Sequence, residues 1–280
     1  ISGSSFACAV LAPNGKIYCA PNNGGLVLEI DPSGSVSTRL LPIPNYESIW
    51  TWRGGVLAHN GKIYSMPLFG GNVLVIDPSD SQIVTTIPVP SDISGSSFGS
   101  VLGPNGKIYG IPFNGGTVVV LDPTDNSFTT ILIPDSISLS NYTWAGGVLG
   151  PDSKIYGMPL SGGNVLVIDT SSDAVTTISV GPGGSTGRWP GGVLGPNGKI
   201  YAAPSDGGQV LEIDPSGSGS TREIPVPPGL DQVVYFGCVL APNGTIYAIP
   251  FTASGNILTI RYTFPQLMGD WILYPQFNKF

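Results

Sequence analysis

The chain has 280 residues, of which only 10% are charged, and it contains 40 glycines and 27 prolines, which favours short strands and tight turns over helices. The formal net charge of -7 disfavours nucleic acid as a partner, because binding a phosphate backbone needs a concentrated basic surface. No run of about 18 apolar residues occurs, so the sequence predicts no membrane-spanning helix.

One sequence unit recurs along the whole chain. Its Val-Leu pair is found at Val10, Val56, Val101, Val148, Val193 and Val239. Each unit reads as an inner strand (GGVL), a PNGK turn, a second strand (KIY), a Gly-Gly loop, a third strand (NVLVID) and a fourth (such as IVTTIP). Asn-Gly is a strong hairpin signal, and four strands per unit of about 46 residues are typical of a propeller blade.

We therefore predict an all-β chain forming a single six-bladed β-propeller with four antiparallel strands per blade. The repeats span approximately 1–50, 51–96, 97–142, 143–187, 188–233 and 234–280. An open solenoid is the alternative, and it is disfavoured because neither terminal repeat resembles a polar cap.

The two ends of the chain bear on how the ring closes. The opening ISGSSFACAVL matches the interior ISGSSFGSVL, so the chain starts just ahead of an inner strand. The sixth unit has room for its own fourth strand within residues 269–280. Closure is then expected from packing of the sixth blade against the first, with a tail at 277–280.

Three cysteines lie in the first and sixth units. Cys8 and Cys238 belong to inner strands and Cys19 to a second strand. A Cys8–Cys19 or Cys8–Cys238 disulfide and three buried thiols are both compatible with these positions. No histidine lies near them in sequence, so no zinc site is predicted.

The first residue is Ile1 rather than Met, which favours a secreted or lumenal protein from which a leader has been removed.

Propeller topology assigns the loops to two faces. The loops that enter each inner strand and those that join second to third strands share one face, called here the entry face. The remaining turns lie on the opposite face, called here the turn face.

The turn face carries a Lys and an Asp in five of the six units: Lys16, Lys62, Lys107, Lys154, Lys199, Asp31, Asp77, Asp122, Asp169 and Asp214. We expect these to pair and each Asp to cap its own turn, which is a structural role. The only histidine, His59, replaces a turn proline.

The entry face carries a repeated aromatic residue four positions before each marker valine: Phe6, Trp52, Trp144, Trp189 and Tyr235, with Ser97 followed by Phe98 in the third unit. Arg53 and Arg188 adjoin two of these, and the facing loops offer Asn22, Asn114 and Asp206. In one interpretation the aromatic rings wedge between blades. In the other, each ring stacks on the C–H face of a sugar while the Arg, Asn and Asp side chains bind its hydroxyl groups.

Catalysis is disfavoured by the scarcity of suitable groups. The inner strands supply no acid, amide or imidazole, and the entry loops offer only scattered acids at Glu47, Asp92, Asp135 and Asp231. A hydrolase or lyase needs paired carboxylates or an axial metal with several oxygen ligands. No cofactor is predicted either, because the glycines of GPGGSTGRWP precede neither a helix start nor a Gly-Lys-Ser sequence.

The lines WRGGVLAHNGKIY, WAGGVLGPDSKIY and WPGGVLGPNGKIY resemble a family of tandem-repeat proteins of algae, protists and some bacteria, whose chains tend to end much like YPQFNKF. That resemblance implies a propeller and no defined activity. In architecture the chain is also similar to propeller lectins, which repeat one sugar pocket around the ring. We therefore predict a multivalent carbohydrate-binding protein with glycans or glycoproteins as partners; the alternatives are a protein-interaction scaffold and, third, a hydrolase or lyase with an axial metal.

Overall fold

The computed structural model describes residues 5–6, 8–47, 51–80, 83–93, 95–137, 143–161, 163–181, 187–206, 208–230, 233–251 and 257–261. The protein is an all-β, six-bladed propeller of antiparallel sheets arranged in a ring, which confirms the predicted fold class. No helix that could cross a membrane is found in this described part of the chain.

The strands follow the predicted repeat. Blades 1 and 2 comprise β1 (Ser5–Phe6), β2 (Val10–Leu11), β3 (Ile17–Cys19), β4 (Pro21–Asn23), β5 (Leu26–Asp31), β6 (Ser37–Pro42), β7 (Val56–Leu57), β8 (Ile63–Ser65), β9 (Asn72–Ile76) and β10 (Val84–Pro88). Blades 3 and 4 comprise β11 (Ser96–Leu102), β12 (Ile108–Asn114), β13 (Thr117–Asp122), β14 (Ser127–Leu132), β15 (Trp144–Leu149), β16 (Lys154–Pro159), β17 (Asn164–Asp169) and β18 (Ala174–Ser179). Blades 5 and 6 comprise β19 (Val193–Leu194), β20 (Ile200–Ala202), β21 (Gln209–Asp214), β22 (Ser220–Pro225), β23 (Tyr235–Leu240), β24 (Ile246–Pro250) and β25 (Leu258–Ile260).

Each sheet is ordered along the chain from its inner strand outward. Blades 1 to 5 have four strands each, and β1 forms a separate two-stranded ladder with β4. Blade 6 contributes three strands, β23 to β25, to the described residues. The fourth strand predicted within residues 269–280 and the tail at 277–280 lie outside the described residues.

The inner strands approach one another backbone to backbone around the axis. Gly54 and Gly146 have φ angles of +94° and +71°, which glycine adopts readily. A Cβ on Gly54 would lie 2.8 Å from the Cα of Gly99, and one on Gly146 would lie 3.0 Å from the Cα of Gly191. The repeated glycine therefore sets the spacing between neighbouring blades.

The repeated PNGK turn also connects blades, a role that the sequence analysis did not assign. The side-chain amide of Asn60 donates to the Tyr64 hydroxyl at 2.9 Å and to the Pro123 carbonyl of the next blade at 3.3 Å. Asn105 makes the same two bonds, to Tyr109 at 2.8 Å and to the carbonyl of Thr170 at 3.1 Å. Each such asparagine joins its own second strand to the following blade.

The turn face is built of ion pairs within single blades. Lys62 Nζ lies 3.0 Å from Asp77 Oδ2, and Lys199 Nζ lies 3.2 Å from Asp214 Oδ2. Asp77 Oδ1 also accepts hydrogen bonds from the backbone N–H and hydroxyl of Ser79, which holds the pKa of that carboxyl below its ordinary value. The predicted Lys-Asp pairing is present in blades 1, 2 and 5, while in the described parts of blades 3 and 4 Lys107 and Lys154 form no salt bridge with Asp122 and Asp169. The predicted turn capping is present, and His59 is an exposed turn residue.

Two of the blades add a buried glutamate to this pattern. Glu212 accepts hydrogen bonds from Lys199 at 3.1 Å, from Arg222 at 3.0 Å and from the Tyr201 hydroxyl at 3.0 Å. Burial opposes ionisation of Glu212, but the hydrogen bonds outweigh it and lower the pKa of the carboxyl. Glu29 has the same arrangement with Lys16 and Arg39 in blade 1, where the pKa is lowered against the same opposing effect of burial.

All three cysteines carry free thiols in the structure, and neither candidate disulfide is formed. Cys19 is buried, whereas Cys8 and Cys238 are half-buried. Cys8 takes the position held by the axial glycine in the other blades. Burial raises the pKa of Cys19 to about 11 and that of Cys238 to about 12, so both thiols are protonated and unreactive at neutral pH.

Candidate functional site

The entry face brings together the two sets of loops that the topology predicts. The backbone N–H of Leu68 donates to the carbonyl of Thr51 at 2.9 Å, and that of Phe251 donates to Val234 at 2.8 Å. In blade 5, Ser205 donates to Arg188 at 2.8 Å. Each entry loop is therefore bonded to the loop between the second and third strands of its own blade.

Four of the repeated aromatic residues are fully enclosed in the protein. Trp52 is 0% exposed and packs among side chains of blades 1 and 2, including Val27 and Leu74. Trp144 and Trp189 lie likewise between successive blades, and Tyr235 packs with residues of blades 5 and 6. The indole N–H groups donate to backbone carbonyls at 2.8 to 2.9 Å.

These four rings cannot perform the sugar-stacking role predicted for them, because none of them presents an open face. A ring that is packed on both sides, and whose N–H donates to a backbone carbonyl, has a structural role between the blades. The structure thus supports the first of the two interpretations, in which the aromatic residues fill the space between blades.

The other predicted ligand-binding residues lie on the entry face in separate blades. In blade 1, Phe6 is half-buried and Asn22 donates to the Ser5 hydroxyl at 3.3 Å. In blade 5, the backbone N–H of Arg188 lies 3.4 Å from Asp206 Oδ1. Asn114 ends β12 in blade 3, and its backbone N–H donates to Ser96 Oγ at 2.8 Å. The structure does not gather these residues into one site.

A different set of residues meets at the axis. In three blades the residue that follows the wedge position is large: Arg53, Phe98 and Phe236. The rings of Phe98 and Phe236 belong to blades 3 and 6, on opposite sides of the ring, yet their centroids are 5.9 Å apart. They therefore meet across the axis at the entry face.

Three further phenylalanines extend this contact outward. Phe113 lies 5.2 Å from Phe98, Phe69 lies 6.1 Å from Phe113, and Phe251 lies 5.5 Å from Phe236, all measured between ring centroids. We call the five residues the phenylalanine row. Its two ends are open to solvent, since Phe69 is 54% exposed and Phe251 is 69% exposed.

Arg53 is the charged member of this cluster. Its Cζ lies 5.1 Å from the Phe98 ring centroid and 5.9 Å from that of Phe236, within cation–π range of both. No salt bridge to Arg53 is formed among the described residues, and its buried Nε has no hydrogen-bond partner. Desolvation lowers the pKa of the guanidinium group, which nevertheless stays charged at neutral pH.

Arg53 and Phe98 stand out in the sequence, but the row as a whole does not. One sequence feature could have revealed the contact at the axis: Phe98 and Phe236 both come directly after the wedge position of their own blade. Phe113 and Phe251 directly follow the repeated proline at the second-to-third-strand loop, and Phe69 lies one residue further along that loop. Among the described residues, no group of three or more His, Cys, Asp or Glu side chains is placed to hold a metal ion.

Comparisons with known proteins show the fold and no family. No protein-family model matches the sequence, and no curated protein does. The structure is similar to a catalytically inactive form of virginiamycin B lyase from Staphylococcus aureus with quinupristin, with a TM-score of 0.72 and 15% identity over 92% of this chain and 85% of that one. It is also similar to YCF48 bound to a D1 peptide, with a TM-score of 0.67 and 14% identity over 91% and 77% of the two chains.

A further similar structure is the extracellular domain of a putative one-component system from B. thetaiotaomicron, with a TM-score of 0.62 and 12% identity over 94% of this chain and 39% of that one. A lyase, a peptide-bound protein and a sensor domain thus share this propeller architecture. At these identities the similarity establishes the fold alone.

Proposed function

We propose that this protein is an interaction module that binds a polypeptide partner through the phenylalanine row on its entry face. The observation that carries the proposal is the row itself: five contiguous rings cross the axis and end in Phe69 and Phe251, both more than half exposed. Contiguous exposed apolar surface marks interaction sites, and aromatic side chains at the centre of an interface contribute most of its binding energy.

The chemistry of the row favours a polypeptide over a sugar. Sugar recognition needs several hydrogen-bonding groups around each stacking ring, whereas this row is apolar along its length and has one cation, Arg53, beside its centre. Apolar side chains of a partner complement the rings, and a carboxylate complements Arg53. The similar structure bound to a peptide is compatible with this role. The carbohydrate-binding prediction relied mainly on stacking by rings that are in fact buried, so glycan binding is kept as an outcome of the test.

The test uses a random peptide display library and a glycan array, each applied to the purified protein. We expect peptides rich in apolar residues to be selected, and Phe69→Ser and Phe251→Ser each to weaken their binding by about tenfold. Leu132→Ser is the matched control, because Leu132 is 75% exposed but lies on the outermost strand of blade 3. Glycan hits that are lost in Phe251→Ser, without any peptide hits, would replace this proposal with the lectin function.

A further inference from the structure

One boundary between blades lacks the aromatic residue that the other units carry at the wedge position. The wedge position holds Ser97 in blade 3, where blades 2, 4 and 5 have Trp52, Trp144 and Trp189. The backbone at Ser97 is held as at the other boundaries, since its N–H donates to the carbonyl of Pro67 at 3.1 Å. The equivalent bonds run from Trp52 to Pro21 at 3.2 Å and from Trp189 to Pro159 at 2.9 Å. The backbone at the wedge position is therefore held alike, while the side chain it carries differs.

A cavity of about 140 Å³ lies beside Ser97, between blades 2 and 3. Its walls include Met66, Pro67, Val89, Ile93, Ser97 and Val119. None of the described side chains occupies it. In another protein an engineered apolar cavity of about 150 Å³ binds benzene, so this volume suits one aromatic ring.

Met66 does not take the place of the missing indole. The wall residue Met66 corresponds to Met158 at the boundary between blades 4 and 5, and there the methionine and Trp189 are both fully buried in the same core cluster. A methionine at this position therefore leaves room for a complete indole ring. By this correspondence, the cavity beside Ser97 matches the place of Trp189 at the boundary between blades 4 and 5.

The other boundaries also indicate the chemistry of a fitting ring. Each tryptophan donates its N–H to the carbonyl of the residue 20 positions later: Asn72, Asn164 and Gln209. Counted from Ser97, the corresponding carbonyl belongs to Thr117, at the start of β13. A carbonyl has two lone pairs and can accept this bond in addition to one in a sheet.

We propose that the slot between blades 2 and 3 is a binding site for a single indole-type aromatic ring that carries an N–H donor. The site is separate from the axial row and does not depend on the proposed function. The ring belongs either to a small free aromatic compound or to a tryptophan side chain of a polypeptide, and the two sources share the same ring chemistry.

The test is titration of the purified protein with indole, followed by protein-detected NMR and calorimetry. We expect a dissociation constant on the order of 0.1–1 mM, typical of a ligand with few atoms. Indene, which has the same shape but no N–H, should bind about threefold to tenfold more weakly. Binding of N-acetyltryptophanamide as well as indole would indicate a polypeptide source, and binding of indole alone would indicate a free compound.

Variants at Ser97 locate the site. Ser97→Trp restores the wedge of the other boundaries and should weaken indole binding at least tenfold, whereas Ser97→Ala should leave it unchanged. Ser97→Leu, a partial filler, serves if the tryptophan variant does not fold. Crystals soaked with 5-bromoindole should show the bromine between Met66 and Val119. Undiminished indole binding in the filled variants, a bromine elsewhere or no binding at all would overturn the inference.

Discussion

Trp189→Ser removes a wedge from the boundary between blades 4 and 5 and makes it resemble the natural boundary at Ser97. Trp189 is 1% exposed and its N–H donates to the Gln209 carbonyl at 2.8 Å. Burial of a tryptophan covers about 150–250 Å², which at about 25 cal/mol per Å² corresponds to roughly 4–6 kcal/mol. Because unfolded chains already bury part of this area, we expect a loss of about 3–5 kcal/mol in the free energy of unfolding.

The loss is measured by urea denaturation followed by circular dichroism. In calorimetry, the midpoint of thermal unfolding should fall by about 2 °C per kcal/mol for a chain of this size. Trp189→Phe is the control: it keeps most of the apolar area, loses the N–H bond and should cost about 1–2 kcal/mol. A loss below about 1 kcal/mol for Trp189→Ser would refute the wedge role, because it would mean that the ring contributes little to joining the blades.

Three other predictions concern the repeated contacts. Gly146→Ala should cost about 1–3 kcal/mol more than Gly198→Ala by urea denaturation, because both glycines have positive φ but only at Gly146 would the new Cβ approach backbone atoms, at 3.0 Å; equal costs would contradict the close approach at the axis. Asn105→Ala removes the hydrogen bonds to Tyr109 and Thr170 and should lower the free energy of unfolding by about 1–3 kcal/mol. A negligible change would mean that the asparagine only shapes its turn. The pKa of Glu212 is lowered in the fold, so its stabilisation is present above the ordinary value of 4.5 and is lost as the pH falls through the lower folded value; denaturation between pH 3 and 7 should show this loss, and Glu212→Gln should reduce it.

The repeat made the architecture predictable from sequence. The short continuous apolar run in NVLVID and the Asn-Gly turn specify buried strands and hairpins, and a constant interval between units extends them around a ring. The Lys62–Asp77 pair was predictable for the same reason, since a hairpin places these two positions side by side. The burial of Glu212 was harder to predict from the sequence, because it depends on cations from two neighbouring strands.

The exposure of the wedge residues could not be predicted, because strand alternation fails where they lie. The pairing of β11 with β12 is irregular on both sides of Ser97, so counting alternate positions does not tell which side chain is enclosed and which points to the axis. The meeting of Phe98 with Phe236 depends on the diameter of the closed ring, which the sequence pattern does not encode. The tryptophans are enclosed, and beside Trp52 the next residue, Arg53, is the one that reaches the axial phenylalanines.

Photo-cross-linking tests the proposed binding face most directly. A selected peptide carrying benzoylphenylalanine at one of its apolar positions is irradiated in complex with the native protein, and the cross-linked residues are identified by mass spectrometry. The phenylalanine row predicts cross-links to the segments around Phe69, Phe236 and Phe251, and their loss in the Phe69→Ser/Phe251→Ser double variant. Cross-links on the turn face, around Lys62 or Val36, would contradict the assignment of the entry face as the binding surface.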